Sequence, residues 1–302
     1  MKRMMIVGGV LSIAVMPLVA EETVHVSDEM NTPYARAIKA LDVKDWDRFA
    51  YWAELTDYSQ WDVRIKSGLG HCYREGLGSK KRDGKRAFDL LSEAVRYADT
   101  AKAIEESNDV SRAMLELGIC YYAGMGVASN HVEAVKWYRK SAERGYAAAQ
   151  SNLGWCYGSG IGVAKDVVEA VKWYRRAAEQ GFATAQFNLG ACYHKGVGVD
   201  KDAVEAAKWY RKAAEQENVK AQFNLGLCYC KGIGVSQNDV EAAKWYRKAA
   251  EQGQANAQNN LAWCYSEGVG VAKDAVEAVK WYRKAAEQGH AHAVKAIEEL
   301  TK

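Results

Sequence analysis

Proline is nearly missing from this chain, with two in 302 residues, and so is any surplus of charge. Hydrophobic residues make up 49% and charged residues 26%, a composition that excludes extended disorder. The formal net charge is +3, of which Lys2 and Arg3 supply two units, leaving +1 beyond residue 20. Nucleic-acid binding depends on neutralising many phosphates, and there is no basic excess to do it. The histidines at positions 25, 71, 131, 194, 290 and 292 form no HExxH motif and no clustered Cys-His spacing, so no metal ligand is nominated. Ser-x-x-Lys and Lys-Thr-Gly, which a serine β-lactamase needs together, are also missing. The sequence nominates no catalytic residue, no metal and no cofactor.

Long apolar runs are missing after the first twenty residues. Lys2-Arg3 precedes an apolar run from Met4 to Val15, then Met16-Pro17-Leu18-Val19-Ala20 and acidic Glu21-Glu22. Charged, apolar and small residues in that order read as a secretory signal at 1–20, cleaved after Ala20. The run falls short of the roughly 20 residues that span a bilayer, which disfavours the competing reading of an uncleaved anchor. No cysteine follows it, which argues against a lipoprotein. A periplasmic or secreted chain with no integral membrane segment after cleavage is the expectation.

What is abundant is one sentence said repeatedly. Trp137-Tyr138, Trp173-Tyr174, Trp209-Tyr210, Trp245-Tyr246 and Trp281-Tyr282 recur every 36 residues, and such a period marks a solenoid of stacked units. Five regular units run from Ser111 to His290. In the second, Ala147 to Gly158 reads as helix A, Gly160-Ile161-Gly162-Val163 as a turn and Asp166 to Gln180 as helix B. Asp166 with Glu169 is an N-cap and capping-box pair, repeated as Asn130/Glu133, Asp202/Glu205, Asn238/Glu241 and Asp274/Glu277. Gly145, Gly181, Gly253 and Gly289 close helix B in the left-handed conformation. The third unit has Glu217-Asn218 there, so a different exit and a bend in the array are expected. Gly118, Gly154, Gly190 and Gly226 lie inside helix A at a cost of about 1 kcal/mol each relative to Ala, which implies that the backbone of helix B comes close. Ala170, Trp173, Tyr174, Ala177 and Ala178 share one face of helix B, so the Trp-Tyr pairs read as core and seam.

The flanks differ from the array. Residues 21–62 read as a polar lead-in and two capping helices, the first starting at Asn31-Thr32-Pro33 and the second at Asp45. Residues 63–110 form a degenerate repeat around Leu69-Gly70-His71-Cys72-Tyr73. Ala87 to Gly118 takes 31 residues where Ala134 to Gly154 takes 20, and the excess is close to three helical turns. A protruding helix lengthened from about Gly84 through Ile104 is expected, with a short extra helix as the competing reading. Residues 291–302 read as a C-terminal capping helix.

Six of the seven cysteines, Cys72, Cys120, Cys156, Cys192, Cys228 and Cys264, share one register. Equivalent positions on stacked helices sit about 8–10 Å apart, whereas a disulfide needs Cα atoms within about 7 Å. Free, buried thiols are expected. Cys230 falls out of register on another helix face and reads as exposed.

The wording A-x-A-Q-x-N-L-G-x-C-Y-x-x-G-x-G-V followed by E-A-x-K-W-Y-R-K-A-A-E-Q-G resembles the Sel1-like repeat, a relative of the tetratricopeptide repeat, over roughly residues 66 to 302. The resemblance implies an all-α, right-handed superhelical solenoid of antiparallel helix pairs, acting as a non-catalytic adaptor that binds a protein partner. It also implies an alternative, since some exported cysteine-rich members of that family bind penicillin and act as weak β-lactamases. Those members carry two cysteines per repeat, and this chain carries one. A binder or hydrolase of β-lactam or peptidoglycan-like ligands is the alternative function.

Differences between the repeats carry the remaining information. On helix A the positions of Ala149, Gln150, Leu153, Gly154, Cys156 and Tyr157 hardly change between units. Positions 151, 155, 158 and 159 lie opposite and change freely. In superhelices of this kind helix A lines the concave face. Trp155, Phe187, Phe223, Leu227 and Trp263 are therefore expected to form an apolar groove with Lys195 and Lys231 at its rim, able to anchor a peptide or helix. The competing reading is that these side chains fill gaps between neighbouring A helices. A monomer is expected.

Overall fold

The computed structural model describes residues 32–57, 61–100 and 108–300, apart from the side chains of 97–100. The expected signal at 1–20 and the polar lead-in lie outside the described residues, which form helices and no strands. Capping helices α1 (Pro33–Asp42) and α2 (Trp46–Leu55) precede the degenerate pair α3 (Val63–Glu75) and α4 (Gly84–Thr100). The regular pairs are α5 (Asn108–Ala123) with α6 (His131–Glu143), α7 (Ala147–Ser159) with α8 (Val167–Glu179), α9 (Ala183–Lys195) with α10 (Ala203–Glu215), α11 (Val219–Lys231) with α12 (Asp239–Glu251), and α13 (Ala255–Glu267) with α14 (Ala275–Glu287). A final helix, α15 (Ala291–Leu300), packs on α14. Each pair packs on the next, so the core grows along one axis as an all-α solenoid.

The helix boundaries follow local chemistry. Thr32 accepts from the Ala35 amide at 3.2 Å ahead of Pro33, and Asp45 accepts from the Arg48 amide at 3.1 Å. Asp166 accepts from the Glu169 amide at 2.9 Å, and its counterparts do the same at the start of each later helix B. Only this half of the expected capping box forms. The Asp166 amide already donates to the Tyr157 carbonyl at 2.9 Å, so Glu169 turns to Lys172 instead, at 3.0 Å.

The interior glycines of helix A make room for rings. A Cβ on Gly154 would lie 2.9 Å from the Tyr174 ring and 3.1 Å from the Ala170 carbonyl oxygen. The expected backbone approach is present, but the tyrosine of the Trp-Tyr pair is the nearer neighbour. Leu153, Leu189, Leu225 and Leu261 are fully buried beside these contacts. Tyr174, Tyr210, Tyr246 and Tyr282 are buried as core. Trp209 is also buried, with the Lys212 ammonium 4.2 Å from its ring centroid.

Polar side chains set the rotation between units. Gln186 Nε2 donates to the Ala178 carbonyl of the preceding unit at 3.2 Å, and Gln216 Nε2 donates to Gln186 Oε1 at 2.8 Å. The same pair of bonds joins Gln222 to Ala214 and Gln252, and Gln258 to Ala250 and Gln288. Arg175 reaches forward to the Tyr193 hydroxyl at 2.8 Å. Buried amides bonded in this way are costly to leave unpaired, so neighbouring repeats are held to one relative orientation.

Two expectations concern irregular places. Glu217 adopts φ 62°, in the left-handed region that Gly145, Gly181, Gly253 and Gly289 also occupy. The Asn218 amide still donates to the Ala213 carbonyl at 3.1 Å, as Phe182 does to Ala177, and the Asn218 side chain caps α11 by accepting from the Ala221 amide at 3.0 Å. The exit is the ordinary one, and the expected bend has no local cause. Glu217→Gly should therefore raise stability by about 1 kcal/mol, by removing left-handed strain. It should appear as a higher urea midpoint at unchanged slope; a lower midpoint would show that the glutamate side chain holds the exit.

The second concerns the extra residues after Ala87. Within the described residues α4 ends at Thr100, with 17 residues against 13 in α8, and α5 has 16 against 13 in α7. Both helices are thus longer than their counterparts, and the expected stretch to Ile104 lies outside the described residues. Leu91, Ala94 and Val95 of α4 are buried with Val63, Val110 and Met114, so α4 packs between its neighbours.

All seven cysteines are free. Burial pushes the Cys72 and Cys264 thiols up to about 12 and those of Cys120, Cys156 and Cys228 to about 11. Cys192 is only partly buried, unlike its five register mates. Cys230 is also partly buried and packs against the Tyr246 cluster, so it is less open than expected.

Candidate partner-binding face

The variable positions of helix A divide according to what the neighbouring repeat places over them. Trp155 is 39% exposed and Trp263 40% exposed, which are large values for residues on otherwise packed helices. The Trp155 ring meets Tyr122 of the preceding unit edge-on at 5.6 Å, leaving its other side open. Phe187, Phe223 and Leu227 are half-buried, and Lys195 and Lys231 are exposed. Phe187 lies 5.9 Å from the Tyr210 ring and Phe223 lies 6.0 Å from Tyr246, so each fills space over its own helix B with one side. Leu115 and Ser151, at the position equivalent to Phe187, are buried and offer nothing to a partner. These side chains fill gaps and also present surface.

Four of the seven expected residues meet at one cleft. Phe187 and Lys195 from α9, Leu227 and Lys231 from α11, and Tyr210 from α10 line a space of about 340 Å³ together with Ile233. Trp155, Phe223 and Trp263 do not line it. Burial raises the Tyr210 phenol well above its ordinary range and pushes the Cys228 thiol in the cleft wall up to about 11. Neither is poised as a nucleophile near neutral pH. Among the described residues no group of three or more His, Cys, Asp or Glu is placed to hold a metal ion, and no helix is long and apolar enough to cross a membrane.

Two features escaped the sequence reading. Val132, Val168, Val204, Val240 and Val276 are 50–79% exposed at equivalent places near the start of each helix B. They fall opposite the Ala-Trp-Tyr stripe, so the signal was an apolar residue recurring on the polar side. The other is a buried ionic cluster between the degenerate and first regular repeats. Glu116 bonds to Nδ1 of His71 at 3.0 Å and to the Arg74 guanidinium, and it is 5% exposed. The regular repeats have Asn152, Asn188, Asn224 and Asn260 at the place of Glu116, and that one change of residue was its trace in the sequence.

An all-α array of near-identical helix pairs with an open, variable helix row belongs to the class of repeat solenoids. The Sel1 repeat family model matches residues 67–96, 111–146, 147–182, 183–218, 219–254 and 255–290, and the chain belongs to that family. A Sel1 repeat protein from Oxalobacter formigenes is 35% identical, over 78% of this chain and 88% of that one, with a TM-score of 0.65. The protective antigen c5321 of uropathogenic Escherichia coli strains, which displays an SLR fold, is 30% identical with a TM-score of 0.72. The match takes in 90% of this chain but 57% of the antigen. No protein of curated function matches. Sel1 repeats generally serve as protein-interaction scaffolds.

Proposed function

We propose that this chain is a non-catalytic scaffold that binds a protein partner through the helix-A face, in the periplasm or after secretion. The observation that carries the reading is the exposure of Trp155 and Trp263 on either side of the α9–α11 cleft, in a row whose other apolar positions, Phe187, Phe223 and Leu227, are half-buried. Solvated tryptophans next to a concave apolar space are the usual composition of an interface anchor. The export part rests on the charged, apolar and small-residue order of residues 1–20. The β-lactam alternative finds no serine-lysine pair in the sequence and no activated nucleophile in the cleft.

A crosslinked pull-down from envelope extract tests the scaffold reading, using Glu21 to Lys302 beside a variant with Trp155→Ala, Phe187→Ala and Phe223→Ala. A partner retained by the parent and lost at least tenfold by an equally helical variant is the expected result. Equal recovery would move the site off helix A.

A further inference from the structure

Charge is sorted between the two helices of the three central repeats. The A helices α7, α9 and α11 contain no Asp or Glu but carry Lys195, Lys220 and Lys231. The B helices α8, α10 and α12 carry the acids, and their Lys172, Lys208 and Lys244 are each paired with Glu169, Glu205 and Glu241 at 2.6–3.0 Å. Lys195 and Lys231 have no carboxylate within ion-pair distance among the described residues, although both flank the cleft that holds Phe187 and Leu227. The acid nearest in sequence, Asp200, lies beyond the Gly196–Gly198 turn, and Asp202 is engaged in capping α10.

A lysine in the last turn of a helix is favourable to the helix dipole, which is the structural explanation for both cations. The array does not require it. Ser159 and Glu267 hold the same position on α7 and α13, and those helices have the same length and the same left-handed glycine cap. A further polar atom in the cleft wall, Nδ1 of His194, is buried and makes no hydrogen bond.

From these observations, and resting on the scaffold reading above, we infer that the α9–α11 cleft receives an acidic protein segment, with one apolar side chain between Phe187 and Leu227 and carboxylates against Lys195 and Lys231. Unpaired cations beside an apolar slot, on A helices that carry no acid of their own, are complementary to that chemistry and repel a basic segment.

The test uses fluorescence anisotropy with the mature chain and three labelled peptides. One is a run of Glu and Asp with a single central Leu, the second has Lys at every acidic position, and the third has the Leu replaced by Ser. The acidic Leu peptide should bind, and raising salt from low to moderate ionic strength should weaken it several-fold. Lys195→Glu with Lys231→Glu should weaken it at least tenfold. Lys136→Glu with Lys280→Glu, the same change of net charge on helix B, should alter it less than twofold. Loss of the Leu should also weaken binding.

Binding of the basic peptide as tightly as the acidic one, or equal effects of the two charge-reversal pairs, would overturn the inference. So would binding of phosphatidylglycerol vesicles without binding of the peptide. If the acidic peptide fails while the Trp155, Phe187 and Phe223 variant still loses its crosslinked partner, the scaffold stands and the acidic occupant falls.

Discussion

Gly198→Ala is expected to destabilise the protein by about 2–5 kcal/mol, although it adds a single methyl group to a turn. Two costs combine: left-handed backbone for a residue with a Cβ, about 1–2 kcal/mol, and a forced displacement of well-packed structure, about 1–3 kcal/mol. Gly198 has φ 71°, and its Cβ would lie 2.1 Å from the Val167 carbonyl oxygen and 2.6 Å from the carbonyl carbon. Those atoms are backbone at the first residue of α8 and cannot rotate aside. Gly162, Gly234 and Gly270 sit equally close to His131, Ala203 and Asp239, so the second glycine of each turn is where one repeat rests on its predecessor.

Two controls separate the costs. Gly196 has φ 68° with the Lys201 Cβ 3.2 Å and the Lys201 backbone no nearer than 3.5 Å from its added Cβ, and Gly181 has φ 88° with nothing within 4 Å. Alanine at Gly181 or Gly196 should cost about 1–2 kcal/mol, the left-handed term alone. Urea unfolding of the three variants should rank Gly198→Ala well below the others. Because solenoid stability is shared between units and their interfaces, Gly198→Ala should also broaden the transition or split it near the α8–α9 junction. Equal losses at all three glycines would show that the seat on Val167 contributes nothing.

Glu116→Ala should cost about 3 kcal/mol at neutral pH, the lower end of the range for removing one member of a buried ion pair. The side chain of Arg74 is 11% exposed, and losing Glu116 leaves the partly solvated Glu75 as the carboxylate beside it. Burial is the largest influence on the Glu116 carboxyl and opposes its ionisation. The His71 hydrogen bond and the Arg74 charge together outweigh it and hold the group below the usual carboxylate range. A depressed folded-state value stabilises the protein above the unfolded value near about pH 4.3, and that stability is lost as pH falls through the folded value. The parent should therefore lose stability more steeply than Glu116→Ala below about pH 4.3, so that their urea midpoints converge in acid. A constant gap between them down to strongly acidic pH would remove the charge from the account and leave packing alone.

How much of this was legible depends on how far each contact reaches. Asp166 announces the start of α8 because its bond is to an amide three residues away, and Thr32-Pro33 announces α1 for the same reason. The free state of the cysteines followed from the spacing of stacked helices, and the core role of the Trp-Tyr pairs from helical periodicity. Glu217 shows where local reading overreached. A residue other than glycine implies a different exit, but Glu217 keeps the left-handed backbone of the glycines it replaces, with φ at 62°.

The candidate face was legible as a stripe and not as a surface. Phe187 and Ser151 occupy the same helical position, yet Ser151 is buried and Phe187 borders a cleft, because the side chains on adjacent repeats differ. Glu116 meets His71 across 45 residues, a distance at which no periodicity predicts a pairing.

By itself the sequence determined the repeat period, the helix starts, the glycine turns and the absence of disulfides, since each depends on backbone conformation or spacing within about one repeat. Only the tertiary structure decided that the second turn glycine seats one repeat on the last, that Trp155 and Trp263 remain in solvent, and that Lys195 and Lys231 flank one cleft without a counter-charge. Those outcomes depend on the rotation between neighbouring repeats, which the buried glutamine and arginine–tyrosine bonds fix only once the repeats are stacked.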